Sequence, residues 1–391
     1  MRKGILVLAA AAVVATGALW LPRLVRAPPP ETIARDEVVP EPAPSRVEPE
    51  PALAVGSHPA WYWEGLDGGR VRCRLCPHDC VIPQGSRGLC RVRENRDGTL
   101  YSLVYGKPVA IGVGPIEKAP FHHFHPGHRR RTIATVGCNF GCRHCQNWSI
   151  SQREFEQVRH HVLSPQEIVA GVERIGLNSV SFTYTEPTVF FEYMYDIAQL
   201  AQARGMKTTL VTNGFIQPEP LRALLAHLDA VRVDLKAFSE EFYREVSGGT
   251  LAAVLRTLNI IQEEGVWLEI IVLIIPTLND CPDEIRAMSE WILANLGPDV
   301  PVHFNRFHPA FKLTHLPPTP VETLEMAHRI AREAGIHFVN IGNVPGHRYG
   351  STFCPTCGER LIYRVGFSVL ANNVHEGRCR FCGRQIPGVW D

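Results

Sequence analysis

Thr135-Val136-Gly137-Cys138-Asn139-Phe140-Gly141-Cys142-Arg143-His144-Cys145 decides how this chain is read. It completes a short β-branched run, Thr132–Val136, and then sets three cysteines as C-x3-C-x2-C on the loop that follows. Three thiolates on one short loop cannot close a four-ligand structural site. They can hold three irons of a [4Fe–4S] cluster and leave the fourth iron open to a substrate group. The same open-position logic separates catalytic from structural zinc. A zinc or disulfide loop is the competing reading. Gly137 and Gly141 are expected to let the backbone fold tightly around whatever is held there.

Outward from this loop, β-branched runs alternate with amphipathic segments. Ser179–Phe182, Thr208–Val211, Ala230–Asp234, Trp267–Ile274 and Val302–Phe304 read as further buried strands. Helix signals fill the gaps. Ser164-Pro165-Gln166-Glu167 is a capping box with Pro at the first helical position, and Gly176 stops that helix. Thr319-Pro320-Val321-Glu322 repeats the device, with Val321, Leu324, Ala327, Ile330 and Ala334 on the apolar stripe and Gly335 at its end. Thr188–Arg204, Pro218–Leu228, Thr250–Glu264 and Asp283–Leu296 are the remaining helices. This succession predicts an α/β fold with a parallel sheet over residues 131–343. The units are too few for a closed eight-fold barrel, so a partial (β/α)6-type barrel or open sheet is expected, with chemistry at the carboxyl ends of its strands.

C-x3-C-x2-C after the first strand of a partial barrel resembles the signature of radical S-adenosylmethionine (SAM) enzymes. Other strand ends agree with that resemblance. Tyr184-Thr185-Glu186-Pro187 follows the second strand, Thr212-Asn213-Gly214 the third, Asp234-Leu235-Lys236 the fourth and Phe307-His308-Pro309 the sixth. These are similar to segments of pyruvate formate-lyase activating enzymes. The resemblance implies that Cys138, Cys142 and Cys145 ligate a [4Fe–4S] cluster. It implies that Thr185, Glu186, Asn213, Asp234, Lys236 and His308 bind SAM. A plainer reading of Glu186 is a helix-N-terminal acid favoured by the dipole. The chain has His144 where the superfamily usually has an aromatic, and Val211 where the activating enzymes have a cation-binding Asp, so neither of those contacts is carried over.

A closer resemblance is to the radical SAM component of the AmmeMemoRadiSam system. It rests on Gly106-Lys107-Pro108-Val109-Ala110, Pro115-Ile116-Glu117-Lys118, Cys145-Gln146-Asn147-Trp148 and the two outer cysteine groups, and runs from about Cys73 to the C-terminus. It implies an oxidoreductase that reductively cleaves SAM to methionine and a 5′-deoxyadenosyl radical, which takes hydrogen from a substrate. An electron donor such as flavodoxin or ferredoxin, and Memo-type and AMMECR-type proteins, are the partners it implies. An activase that installs a glycyl radical on a partner protein is one alternative. An exported, disulfide-bonded binding protein is another.

The chain has 12 Cys. Cys354-x2-Cys357-x21-Cys379-x2-Cys382, each pair followed by Gly358 or Gly383, has the pattern of a zinc ribbon over residues 344–391. Cys73-x2-Cys76-x3-Cys80-x9-Cys90, in a Cys-rich segment 61–130, is open to three readings: zinc, an auxiliary iron–sulfur cluster, or disulfides. Cys281 is expected to be a small buried residue, with a catalytic thiol as the alternative. His122, His123, His125 and His128 crowd one loop, as a packed surface or as a metal or proton site.

Lys+Arg number 40 against 39 Asp+Glu, a balance that excludes a broad electrostatic grip on nucleic acid. After Arg2 and Lys3, the run Gly4–Leu21 is uncharged and close to the length that spans a bilayer. Residues 1–26 are therefore expected to be a membrane anchor rather than a cleaved signal. Residues 27–60, rich in Pro and Glu, read as a semi-stiff tether. The enzyme domain is expected to face the cytoplasm, where a low-potential cluster finds its reductant.

Overall fold

The large apolar share of the strand-forming runs requires a sheet buried on both faces, and the structure, a computed structural model describing residues 58–390, contains one. In chain order its strands are β1 (Ala110–Pro115), β2 (Arg129–Ala134), β3 (Ser179–Phe182), β4 (Lys207–Thr212), β5 (Ala230–Asp234), β6 (Trp267–Ile274), β7 (Val302–Arg306) and β8 (Val339–Gly342). They lie side by side in that order. β1 pairs antiparallel to β2, and β2 to β8 are parallel throughout. β1 and β8 do not pair with each other, so the sheet is open.

Helices α1 (Pro165–Arg174), α2 (Phe191–Ala203), α3 (Pro218–Leu225), α4 (Leu251–Glu263), α5 (Pro282–Leu296) and α6 (Val321–Ala334) connect the parallel strands. The α1 capping box forms as expected, with the Glu167 N–H donating to Ser164 Oγ and the Ser164 N–H donating to Glu167 Oε2. The second capping box does not form: α6 starts at Val321, and Thr319 Oγ1 instead donates to Ile274 O and accepts from the Phe307 N–H.

Two strands extend the sheet beyond the expected set. β8 escaped notice because Val339-Asn340-Ile341-Gly342 is short and ends in Gly. β1, with Gly112, Gly114 and Pro115, falls within the expected Cys-rich segment 61–130, but a full antiparallel register with β2 makes it part of the main sheet. The sheet therefore begins at residue 110, not 131.

The folded part also starts earlier than expected, since His58–Pro59 pairs with Tyr101–Ser102. Residues 58–102 form two small three-stranded antiparallel sheets. A buried ion pair ties them to the barrel. Arg93 donates to both carboxylate oxygens of Glu192 on α2, at 2.7 and 3.2 Å, and Glu192 also accepts from the Trp61 N–H at 2.7 Å.

The C-terminal segment docks on the opposite end of the sheet from the cysteine loop. Its Val389 pairs with the histidine loop, where Val389 N–H donates to His123 O and His125 N–H to Val389 O. The His122 and His123 N–H groups donate to Glu269, near the amino end of β6, and His303 Nε2 lies 2.7 Å from the same carboxylate. Arg364 donates to His122 O at 2.6 Å. Burial, the largest effect, opposes charge on Glu269, but His303 and the backbone donors hold its carboxyl below the ordinary value. The histidine loop thus fastens the C-terminal segment to the amino ends of the strands, away from the chemistry.

The anchor expected over residues 1–26 and all of the expected tether 27–60 but its last three residues lie outside the described residues. Among the described residues no helix is long and apolar enough to cross a membrane, against the expected membrane-anchored localisation.

Candidate active site

Parallel strands end together, so their first loop residues meet at one edge. There β2 delivers Cys138, β3 delivers Thr185 and Glu186, β4 Asn213, β5 Asp234 and Lys236, and β7 His308. The cysteine loop is folded tightly. Gly137 has φ +104, and an added Cβ would lie 2.9 Å from Val92 Cγ1 and 3.0 Å from Cys90 O. The turn Ser247-Gly248-Gly249 brackets the loop: Gly141 N–H donates to Ser247 O at 2.8 Å and Arg143 N–H to Val246 O at 2.9 Å. A side chain at Gly249 would run into Phe140. Gly141 does not fit its expected role, because its φ is not positive and nothing lies within 4 Å of an added Cβ. Gly137→Ala is therefore expected to cost about 1–3 kcal/mol, while Gly141→Ala stays within about 0.5 kcal/mol. Urea midpoints of the two variants check this; equal destabilisation contradicts it.

No disulfide joins any of the twelve cysteines. Phe140 N–H donates to Cys138 Sγ at 3.3 Å, Cys145 Sγ lies 3.2 Å from Ser151 Oγ, and Cys142 Sγ lies 4.0 Å from Ser247 O. Burial pushes the Cys142 thiol up to about 11 against the opposing charge of Lys236, and pushes Cys138 well above the ordinary thiol value. A bound metal is what makes such thiols ligands, by taking their protons. The donor set fits a cluster rather than a lone ion. The three sulfurs are not gathered within 4.8 Å of one another, whereas a single tetrahedral ion would draw them to about 3.8 Å. Thr185 Oγ1, His144 Nδ1 and Ser247 Oγ are buried without a hydrogen-bond partner, so polar capacity stands ready around the loop.

Glu186 is 1% exposed and ties β3 to β4. Its Oε1 accepts from Thr188 N, Thr188 Oγ1 and Thr212 Oγ1 at 2.7–3.0 Å, and Oε2 accepts from Asn213 N at 2.8 Å. Burial raises its carboxyl above the ordinary value despite these donors. Asn213 Nδ2 then donates to Asn139 Oδ1 at 2.8 Å, and Asn139 Nδ2 to Phe215 O. Glu186 and Asn213 therefore hold the cysteine loop in register with the next two strands. Tyr184 precedes them at φ +69, a left-handed turn held by Asn147, which donates to Tyr184 O at 2.7 Å.

Asp234 lies between two cations: Arg232 Nη2 at 2.9 Å and Lys236 Nζ at 2.6 Å. Burial opposes ionisation of both Asp234 and Lys236, but their attraction prevails, keeping the carboxyl low and the ammonium high. Glu269 stands opposite Arg232 across β5 and β6, and Lys236 is the cation that acts on Cys142. His144 is buried and its imidazole is pushed down to about 3, first by burial and then by Lys236. His308 sits half-buried at the end of β7. Cys281 is exposed, not buried as expected, because it stands outside the first turn of α5.

Sequence reading missed Asn139, Thr188 and Arg232. Arg232 had a signal, since a period of two puts it on the same strand face as Asp234. Asn139 and Thr188 had none; their roles come from loops meeting across strands.

The C-terminal quartet forms a second centre. Cys354, Cys357, Cys379 and Cys382 have their sulfurs within 4.8 Å of one another, with Cys354–Cys382 at 3.7 Å and Cys357–Cys379 at 3.8 Å. Bonds of about 2.3 Å to one tetrahedral ion give sulfur separations of about 3.8 Å.

Residues 132–292 match the family model of the radical SAM superfamily. An uncharacterised protein of Methanocaldococcus jannaschii is 44% identical over 332 residues, covering 84% of this chain and 99% of its own length. A probable GTP 3′,8-cyclase of Saccharolobus islandicus is 33% identical over 122 residues, 30% of this chain and 38% of its own. Among solved structures, a domain of the pyruvate-formate lyase-activating enzyme from Bacteroides vulgatus superposes with a TM-score of 0.38 at 17% identity, covering 42% of this chain and 98% of that one.

Proposed function

This chain belongs to the radical SAM superfamily, and on that footing we propose that it is an oxidoreductase that removes a hydrogen atom from its substrate after SAM cleavage. The observation that carries this reading is the set of three thiols on the loop after β2, with a polar rim supplied by the next strand ends. Cys138, Cys142 and Cys145 would hold a [4Fe–4S] cluster, which when bound supplies the electron that splits SAM into methionine and a 5′-deoxyadenosyl radical.

The chain's own residues position and enclose. Glu186 and Asn213 hold the loop in register, and the Tyr184–Thr185 turn presents the unsatisfied Thr185 hydroxyl. The Lys236 ammonium, held by Asp234, offers its positive charge to a carboxylate. In this reading Thr185, Glu186, Asn213, Asp234, Lys236 and His308 surround SAM. A single zinc ion in the C-terminal quartet, a flavodoxin- or ferredoxin-type donor, and Memo-type and AMMECR-type partners belong to the same proposal.

Anaerobic reconstitution with iron and sulfide, followed by dithionite reduction with SAM, tests the reading. Formation of 5′-deoxyadenosine and methionine in equal amounts is expected. Iron-loaded protein that releases neither overturns it.

A further inference from the structure

The cysteines before the barrel form a third metal centre, built differently from the C-terminal one. Cys73 ends the strand Arg70–Cys73, Cys76 and Cys80 sit on the following turn, and Cys90 arrives from the next loop. All four cysteines line one cavity of about 20 Å³, which Leu75, Ile82, Leu89 and Val189 share with the polar Arg93 and Asn139. A zinc ion needs no such room, because four sulfurs about 3.8 Å apart close directly on it. The C-terminal quartet has that closed arrangement. Among the described residues it alone gathers three or more ligand atoms within 4.8 Å, so the N-terminal quartet is wider.

The four cysteines form no disulfide. A largely apolar cavity lined by four cysteines whose sulfurs stand wider apart than in a mononuclear site suits a larger inorganic body.

We propose that Cys73, Cys76, Cys80 and Cys90 ligate a polynuclear iron–sulfur cluster, not zinc. Four protein ligands saturate its irons, in contrast with the three at Cys138, Cys142 and Cys145. The two centres are neighbours. His78 Nε2 lies 2.6 Å from Asn139 O, one residue from Cys138, and Asn139 also lines the cavity. The inference rests on the quartet's own geometry and stands apart from SAM cleavage.

The test uses the full chain with Cys138, Cys142 and Cys145 all changed to Ala, reconstituted anaerobically with iron and sulfide in the presence of zinc. Iron and zinc are counted, and Mössbauer spectra recorded. About four iron per chain with a cluster spectrum, and about one zinc, are expected. Less than one iron with about two zinc overturns the proposal. If that variant is insoluble, the unaltered chain decides: about eight iron and one zinc support it, and about four iron and two zinc overturn it. Failure to cleave SAM bears on the proposed function alone, because neither metal count depends on it.

Discussion

Replacing Cys138, Cys142 and Cys145 together by alanine is expected to reduce 5′-deoxyadenosine formation to the background seen without protein. The loss should exceed the roughly 10–100-fold that removal of a supporting outer residue costs at metal sites. Glu186→Gln supplies that smaller benchmark. Glu186 accepts four hydrogen bonds at the junction of β3 and β4, and an amide turns acceptor capacity into a donor facing donors. Its iron content should stay near that of the unaltered protein while 5′-deoxyadenosine formation falls within the 10–100-fold range. Undiminished cleavage in the triple-alanine variant would show that the chemistry lies elsewhere.

Glu192→Ala is expected to lower stability by about 3–5 kcal/mol, read as a reduced urea midpoint at unchanged slope. Arg93 and Glu192 are 2% and 0% exposed, so removing the carboxylate leaves a guanidinium buried without its counter-charge. Burial opposes charge on Arg93, yet the attraction of Glu192 holds it above the ordinary value. The Trp61 N–H loses the same acceptor. Since Arg93 belongs to the N-terminal segment and Glu192 to α2, the defect should also loosen the segment that carries Cys73, Cys76, Cys80 and Cys90. Limited proteolysis that attacks residues 58–102 first would show it; uniform resistance with an unshifted midpoint would contradict it.

Much of the barrel was legible because its signals are local. Ser179–Phe182 and Trp267–Ile274 are β-branched and apolar, and the Ser164–Glu167 capping box forms as written. β1 was not legible, because Gly112, Gly114 and Pro115 oppose strand formation in isolation and only pairing with β2 overrides them. Thr319 shows the converse: a helix-capping signal lost to Ile274 O and the Phe307 N–H, which outbid the local bond. The histidine loop was ambiguous in sequence for the same reason. Its place at the amino ends of the strands follows from Glu269 and Val389, both distant in the chain.

By itself the sequence determined the three-cysteine loop, the order of strands and helices that puts it at a strand end, and the three groups of cysteines. Each is written in short spacings or a short period, where neighbouring residues suffice. Only the tertiary structure decided that Glu186 and Asn213 bind strand ends together, that Arg232 shares Asp234 with Lys236, and that one outer quartet is closed while the other surrounds a cavity. Those distinctions are distances between sulfurs and carboxylates on separate segments. Spacing along a chain cannot specify them, because packing of the whole sheet sets how far apart its loops come to rest.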